Sequence, residues 1–116
     1  MSDIHFVTGP DDITLEEFEE HFIPRLRVAA MCGASFVVCD NGACDRFTQS
    51  FLSACDSISY YTICHRSEFP NICICRVDGP KVVFLGPFTS AVEQENAIKS
   101  IVTNTITWER KKSHVK

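Results

Sequence analysis

Apolar, β-forming runs alternate with amphipathic helical segments along this chain, and this alternation is the strongest constraint on its fold. The strand-like runs are residues 4–8, 35–40, 58–64 and 105–108, and the helical segments are residues 14–30, 43–55 and 90–103. A strand–helix–strand alternation builds a parallel sheet with right-handed crossovers and helices on its faces. The sequence therefore predicts the α/β class, with three layers and a short, mainly parallel sheet of four or five strands.

Capping signals indicate where two of the helices begin. Thr14 with Glu17, and Ser90 with Glu93, have the spacing of capping boxes, in which each side chain accepts a hydrogen bond from the other residue's backbone. Pro24 cannot lie undisturbed inside a helix, because it lacks an N–H and its ring clashes with the preceding turn. We therefore expect a kink or a restart near residues 22–23.

The middle of the chain carries a conflicting local signal. Residues 72–77 and 82–85 are apolar, and Asp78-Gly79 lies between them. This pattern is typical of a β-hairpin, although an extended excursion without strand pairing is the alternative.

Length and charge restrict the classes of partner. The 116 residues fit a single domain, which we assign to residues 1–109, followed by a basic tail at residues 110–116. Four of the eleven basic residues lie in that tail, so the rest of the chain carries seven basic against fifteen acidic side chains. Such a surface repels a phosphate backbone, and no nucleic-acid partner is expected.

The chain has the composition expected of a cytoplasmic protein that does not contact a membrane. Its first residues are acidic, as a secretory signal is not, and no apolar run approaches the roughly 18 residues of a membrane span. Seven cysteines are an odd number and read mostly as small buried apolar residues. A zinc site from Cys73 and Cys75 with Cys39 or Cys44 and His65 lacks the usual C-x₂-C pair, so neither a metal nor a cofactor is predicted.

Ligands of open parallel sheets bind where loops leave the carboxyl ends of the strands. Short stretches of this kind follow each predicted strand, including His65-Arg66 and Glu109-Arg110. The candidate ligand-binding residues at these ends are Thr8, Gly9, Pro10, Asp11, Asp40, Asn41, Gly42, Asp45, Thr89 and Ser90. For Asp45 the alternative is stabilisation of the helix dipole in the first turn.

Two glutamates of the last helix are candidate catalytic groups. Glu95 shares a helical stripe with Ala91, Ile98 and Val102, which predicts that it faces inward near the strand ends. A carboxylate there could hold a sugar hydroxyl or attack a glycosidic carbon, or it could simply cap backbone amides at the edge of the core. Glu93 is the second candidate, with its capping role as the alternative.

Several of these stretches together resemble the SLOG superfamily of Rossmann-like domains. The resemblance covers most of the chain outside residues 66–85, and it is carried by Phe6-Val-Thr-Gly9, Asp12-Ile-Thr14, Glu17-Phe18, Pro24-Arg25, Gly33-Ala-Ser-Phe-Val-Val38, Asp40, Asp45, Phe88-Thr-Ser90, Glu93 to Ala97 and Ile106-Thr-Trp-Glu-Arg110. It implies a nucleotide-type pocket lined by the Thr8–Asp11 loop, Asp40, the Asn41–Asp45 turn and the acids of the last helix.

The chain departs from the family pattern where phosphate would bind. Asp11 stands where the family often has a basic residue, and Cys39 and Ala43 replace glycines of its GDxxGAD turn. Gly86-Pro87 stands where the family has Gly-Gly before the last helix. The loss of a positive charge and of backbone freedom favours an uncharged nucleoside, or loss of the ligand altogether.

Three functions follow as expectations. The first is binding of a nucleoside or nucleotide-derived ligand. The second is cleavage or transfer at an N-glycosidic bond, as in the related nucleoside 2-deoxyribosyltransferases and nucleotide N-glycosidases, with Glu95 or Glu93 as nucleophile and Asp40 or Asp45 positioning the sugar. The third is a homo-oligomeric interaction module whose cleft is filled by its own side chains, such as Phe88 or Phe69. Small domains of this superfamily tend to self-associate, which implies a homodimer.

Overall fold

The computed structural model describes residues 3–110, and they form a parallel sheet with helices on both faces. The elements in chain order are β1 (Ile4–Thr8), α1 (Leu15–His21), α2 (Ile23–Met31), β2 (Ser35–Val38), α3 (Ala43–Ser53), β3 (Tyr60–Cys64), β4 (Lys81–Leu85), α4 (Ala91–Ile101) and β5 (Asn104–Thr107). The strand order is β4-β3-β2-β1-β5 and every strand pair is parallel. The predicted three-layer, Rossmann-like α/β architecture is thus confirmed.

The start and the interruption of the first predicted helix follow the sequence signals. Thr14 caps α1, with its hydroxyl accepting from the Glu17 N–H and the Glu17 carboxylate accepting from the Thr14 N–H. The chain restarts at Phe22, and Pro24 occupies the first turn of α2, where its missing N–H costs nothing. The predicted ends of the other helices and strands differ from the observed ends by one or two residues.

The two faces of the sheet bury unequal cores. Helices α1, α2 and α3 cover one face, where the fully buried side chains include Phe18, Phe22, Phe36 and Tyr61. Helix α4 alone packs on the other face, over a small cluster of Val37, Cys39, Cys64 and Ile98. None of the helices in residues 3–110 has the length and apolar character needed to cross a bilayer.

The predicted hairpin is wrong. Strand β4 pairs with β3 in parallel, from Tyr60 opposite Lys81 to Cys64 opposite Leu85, and residues 72–77 join no strand ladder. The connection at residues 65–80 is instead an extended excursion without a helix. Polar side chains of α3 supply the hydrogen-bond partners that a second hairpin strand would have supplied.

The chain ends of the described part are tied to the domain. The Arg110 guanidinium, assigned to the tail by sequence, donates to both carboxylate oxygens of Glu17 at 2.7 and 2.8 Å. This ion pair, together with the Thr14 backbone, lowers the pKa of Glu17 to about 2. The rest of the predicted tail, residues 111–116, lies outside the described residues.

Candidate ligand-binding site

Two clefts open at the carboxyl edge of the sheet, and six of the ten candidate ligand-binding residues line them. The first, here called the Asp40 cleft, has a volume of about 480 Å³ and is lined by Asp40, Asn41, Arg66, Ser67, Phe69, Asn71, Phe88 and Thr89. The second, here called the β1–β5 cleft, has a volume of about 770 Å³ and is lined by Thr8, Gly9, Pro10, Thr107, Trp108, Glu109 and Arg110. Both volumes lie in the range of small-molecule sites.

Asp40 supplies a buried carboxylate to the first cleft. It follows β2 by two residues, and only 7% of its surface is exposed. One carboxylate oxygen, Oδ2, accepts a hydrogen bond from the Asn71 N–H at 3.2 Å. Within residues 3–110 no protein donor reaches the other oxygen, Oδ1. That oxygen can therefore accept hydrogen bonds from hydroxyl groups of a ligand.

The loop after β1 lies against the turn that starts α3. The Ala43 N–H donates to the Asp11 carbonyl at 2.9 Å, which holds the loop after β1 against the start of α3. Gly42 allows this approach, since a Cβ there would lie 2.8 Å from the Asp11 Cα. The structure thus brings Asp11 and Gly42 together, but neither residue lines one of the two clefts.

Three backbone N–H groups at the start of α3 are engaged by the chain's own acidic residues. Oδ2 of Asp45 accepts from the N–H groups of Asn41 at 2.8 Å and Gly42 at 3.3 Å, and Asp11 accepts from Ala43. Burial raises the pKa of Asp45 above its ordinary value, against the lowering effect of these two backbone hydrogen bonds. The nearby charges of Asp11 and Asp40 raise this pKa further. The Asp45 side chain therefore occupies backbone donors that could otherwise face a ligand.

The start of α4 is also capped internally. The Ser90 hydroxyl accepts from the Glu93 N–H at 3.1 Å, and the Glu93 carboxylate accepts from the N–H and the hydroxyl of Thr89. The Glu93 side chain thus closes on Thr89, not on the Ser90 N–H that a capping box requires. The hydrogen bonds from Thr89 lower the pKa of Glu93. Ser90 and Glu93 both serve the helix end, while Thr89 also lines the Asp40 cleft.

The prediction that Glu95 faces inward is wrong. Its side chain is 64% exposed and forms an ion pair with Lys99, one turn further along α4, at 3.1 Å. Gln94 is the buried polar residue of this helix, and its amide donates to the Cys64 carbonyl at 2.9 Å. The buried stripe runs through Gln94, Ile98 and Ile101, and one residue later the helix has turned by about 100° toward solvent.

The Asp40 cleft contains residues that the sequence did not assign to a binding site. Arg66, Ser67 and Asn71 come from the excursion, which local patterns assigned to a hairpin. Phe69 is almost fully exposed at the rim, so it does not fill the cleft, and Phe88 is partly buried against the core under α4. No periodicity signals these residues, because their position depends on contacts between the excursion and α3.

The β1–β5 cleft lies at the topological switch point of the sheet. Chain connections from β1 proceed toward β2 on one face, whereas β5 is reached across the other face through α4. Trp108 forms one wall and stacks on His21 with ring centroids 4.2 Å apart. The basic group of this cleft, Arg110, is already paired with Glu17.

The three buried cysteines, Cys39, Cys44 and Cys64, show no sign of nucleophilic activation. Burial raises the pKa values of Cys39 and Cys44 to about 12 and that of Cys64 to about 11, so the thiolate is strongly disfavoured. Over the part of the chain that the structure describes, no three His, Cys, Asp or Glu side chains gather as a metal site requires. The described residues therefore contain polar binding clefts but no assembled metal or thiolate centre.

Searches against protein-family models, curated proteins and solved structures find no match to this chain. The resemblance to the SLOG superfamily therefore stays a prediction from the sequence motifs. The argument for function rests on the geometry of the two clefts.

Proposed function

We propose that this chain binds an uncharged, nucleoside-type ligand in the Asp40 cleft. The single observation that carries the proposal is the Asp40 carboxylate, held at the end of a buried strand with one oxygen free to accept. An acidic side chain at the end of a strand beside β1 is the usual acceptor for ribose hydroxyls in Rossmann-type folds. We infer that Oδ1 of Asp40 accepts from the sugar of the ligand.

The remaining lining of the cleft fits a heterocyclic base. The rings of Phe69 and Phe88 both line the Asp40 cleft and provide aromatic surface. Aromatic rings can stack on any base. Asn41 and Asn71 carry amides, which both donate and accept hydrogen bonds and can thus match a base edge.

Phosphate is disfavoured in this site. Asp45 and Asp11 engage the backbone N–H groups just before and at the start of α3, and Glu93 places a further acid at the start of α4, so a phosphate bound there would meet like charges. Asp40 adds a negative charge, which the single basic lining residue, Arg66, only offsets. The proposed preference is therefore for a nucleoside over the corresponding nucleotide.

The alternative function, N-glycosidic cleavage by a glutamate of α4, has no candidate nucleophile among the residues that line the Asp40 cleft. Neither Glu93 nor Glu95 lines the Asp40 cleft, and both carboxylates are engaged, with Thr89 and Lys99 respectively. The glycosidase or transferase function stays a hypothesis whose only carboxylate inside the cleft is Asp40.

Calorimetric titration with nucleosides and their monophosphates tests the proposal. Asp40→Asn keeps the acceptor for Asn71 but loses the charge, and we expect it to weaken nucleoside binding about 10-fold, in line with hydrogen bonds to charged groups. Asp12→Asn is the matched control, because Asp12 is exposed and lines neither cleft. Equal affinities of the two variants, or tighter binding of monophosphates, would contradict the proposal.

Fluorescence of Trp108 distinguishes the two clefts. Trp108 is the chain's single tryptophan and lies in the wall of the β1–β5 cleft. A nucleoside in the Asp40 cleft should leave its emission nearly unchanged while Asp40→Asn weakens binding. Strong quenching with undiminished affinity in Asp40→Asn would place the ligand in the β1–β5 cleft instead.

A further inference from the structure

Helix α4 leaves part of its face of the sheet uncovered. In the described part of the chain it is the single helix on this face, and it packs over a cluster that includes Val37 of β2 and Cys64 of β3. Successive side chains of a strand point to opposite faces, and in β5 Ile106 is buried on the far face whereas Thr105 is exposed. Phe6 of β1 pairs with Thr105 and lies on the α4 face with it. The sheet beside α4 is therefore open to solvent at β1 and β5.

A groove, here called the α4 groove, runs between α4 and these two strands. It has a volume of about 430 Å³, which is in the range of small-molecule sites. Its lining extends along α4 from Ala91 to Val102, a distance of roughly 16 Å at the rise of a helix. Phe6 and Thr105 form the floor, and Ile98 lies in the wall. The length and the mainly apolar lining of the groove fit an elongated apolar molecule.

Gln94 provides this groove with one free hydrogen-bond acceptor. It lines the groove although only 6% of its surface is exposed. Its amide nitrogen donates to the Cys64 carbonyl at 2.9 Å and lies 3.5 Å from Sγ of Cys39. Since a carbonyl can only accept, the contact with Cys64 identifies the nitrogen end of the amide. Over the described residues the amide oxygen, Oε1, accepts no hydrogen bond, and it is not sealed from solvent.

The groove offers no unpaired charge to a ligand. The two charged residues of its lining, Glu95 and Lys99, form an ion pair with each other at 3.1 Å. Burial raises the pKa of the Cys39 thiol to about 12, so this group is also uncharged at neutral pH. An ionic ligand would have to compete with the Glu95–Lys99 pair, whereas an uncharged ligand leaves that pair intact.

We propose that the α4 groove binds an elongated, uncharged, apolar molecule that carries a single hydrogen-bond donor at one end, as a medium-chain alcohol does. The donor binds Oε1 of Gln94, and the apolar body lies along Phe6, Ile98 and Val102. This site is separate from the Asp40 cleft, because the two share no lining residue. The chain would therefore have a second, apolar binding site on the face of the sheet that α4 covers only in part.

Titration calorimetry with n-octanol and methyl hexyl ketone tests the role of Gln94. The two molecules have the same number of carbon atoms, but only the alcohol donates a hydrogen bond. We expect the wild-type chain to bind the alcohol about 5-fold more tightly, which is the usual net effect of one hydrogen bond. Gln94→Met keeps the size of the side chain and should abolish this preference without changing the affinity for the ketone.

The comparison of the two molecules separates a binding role of Gln94 from a structural one. A Gln94→Met variant that loses affinity for both molecules equally would show that Gln94 only supports the fold around the groove. Such a result would contradict the proposal, as would a variant that keeps the preference for the alcohol. A wild-type chain that binds neither molecule would overturn the proposal outright.

A second pair of variants tests the position of the site. Thr105→Trp places an indole on the floor of the groove, and we expect it to weaken binding of both molecules at least about 10-fold. Asn104→Trp is the matched control, because Asn104 is an exposed neighbour on the same strand and lines none of these cavities. Circular dichroism confirms that each variant is folded.

Asp40→Asn distinguishes this proposal from the nucleoside site. It should leave the affinity for n-octanol unchanged even where it weakens nucleoside binding, since Asp40 does not line the α4 groove. Loss of n-octanol binding in Asp40→Asn or in Asn104→Trp, or undiminished binding in Thr105→Trp, would place the molecule outside the α4 groove and overturn the proposal.

Discussion

The starts of α3 and α4 lie at the same edge of the sheet and use an acid in the same way, yet the pKa values of the two acids shift in opposite directions. Asp45 accepts from two backbone N–H groups at the start of α3, and Glu93 accepts from Thr89 at the start of α4. Asp45 is buried beside two other acids, and its pKa is raised. Glu93 is exposed, and its pKa is lowered.

The difference shows that burial can outweigh hydrogen bonding in its effect on the pKa of a capping acid. Hydrogen bonds favour the carboxylate in both places and desolvation opposes them in both, but the net pKa shift is upward only at Asp45. The first loop lies against the start of α3, where its Asp11 carbonyl accepts from the Ala43 N–H. The charge of Asp11 raises the pKa of Asp45, so this loop contributes to the upward shift.

The largest effect should come from removing the buried cap. Asp45→Ala leaves the N–H groups of Asn41 and Gly42 without their acceptor, and we expect a loss of about 1–2 kcal/mol in the free energy of unfolding. Urea denaturation at pH 7 measures it. A change close to zero would mean that the cost of burying the carboxylate cancels its capping effect.

A smaller effect is expected at the exposed helix start. Ser90→Ala removes the acceptor for the Glu93 N–H at 3.1 Å, but water can replace it there. We expect a loss of about 0.5–1 kcal/mol, toward the low end of N-cap substitutions. The same denaturation series checks the order of the two effects, and a loss larger than that of Asp45→Ala would reverse the comparison.

The smallest effect is a pair of opposite pH dependences. The folded-state pKa of Asp45 lies above 3.8, so the stability that this group contributes is highest below pH 3.8 and is lost as the pH rises through that raised value. The folded-state pKa of Glu93 lies below 4.5, so its contribution is present above pH 4.5 and is lost as the pH falls through that lowered value.

Isosteric variants isolate the two groups. The stability difference between wild type and Asp45→Asn should fall as the pH rises from 3.8, whereas the difference between wild type and Glu93→Gln should fall as the pH decreases from 4.5. Denaturation curves between pH 3 and 8, or carboxyl chemical shifts followed by NMR, measure both. Slopes of the same sign would show that the two capping acids are equivalent after all.

Much of the architecture could be predicted because it depends on local patterns. The alternation of strands and helices, the break before Pro24 and the cap at Thr14 each follow from neighbouring residues. The hairpin could not be predicted correctly, because local turn signals at Asp78-Gly79 do not reveal that Gln49 and Ser53 of α3 bind the excursion. Long-range polar contacts of this kind leave no periodic signal.

The candidate site was predictable only in its strand-end part. Asp40 could be placed in a cleft because it follows a buried strand, and the structure places it there. Glu95 was predicted to face inward because it shares a helical stripe with apolar residues, but the buried residue is its neighbour Gln94. Gln94 is polar and is buried because its amide donates to the Cys64 carbonyl. A pattern of apolar residues alone does not reveal that Gln94 lies on the buried stripe.

Residues 71–75 of the excursion are held mainly through their peptide groups, and the thiols of Cys73 and Cys75 add contacts to Ser50. Gln49 accepts from the Cys73 N–H and donates to the Asn71 carbonyl, and Ser53 accepts from the Cys75 N–H. Any residue except proline presents the same peptide groups, so substitutions at positions 71, 73 and 75 retain the hydrogen bonds of the backbone to Asp40, Gln49 and Ser53. Substitutions at Gln49 or Ser53 remove the hydrogen bonds that these side chains make. Mutational tolerance should therefore be high along the excursion and low along the helix that holds it, even though both sides form the same hydrogen bonds.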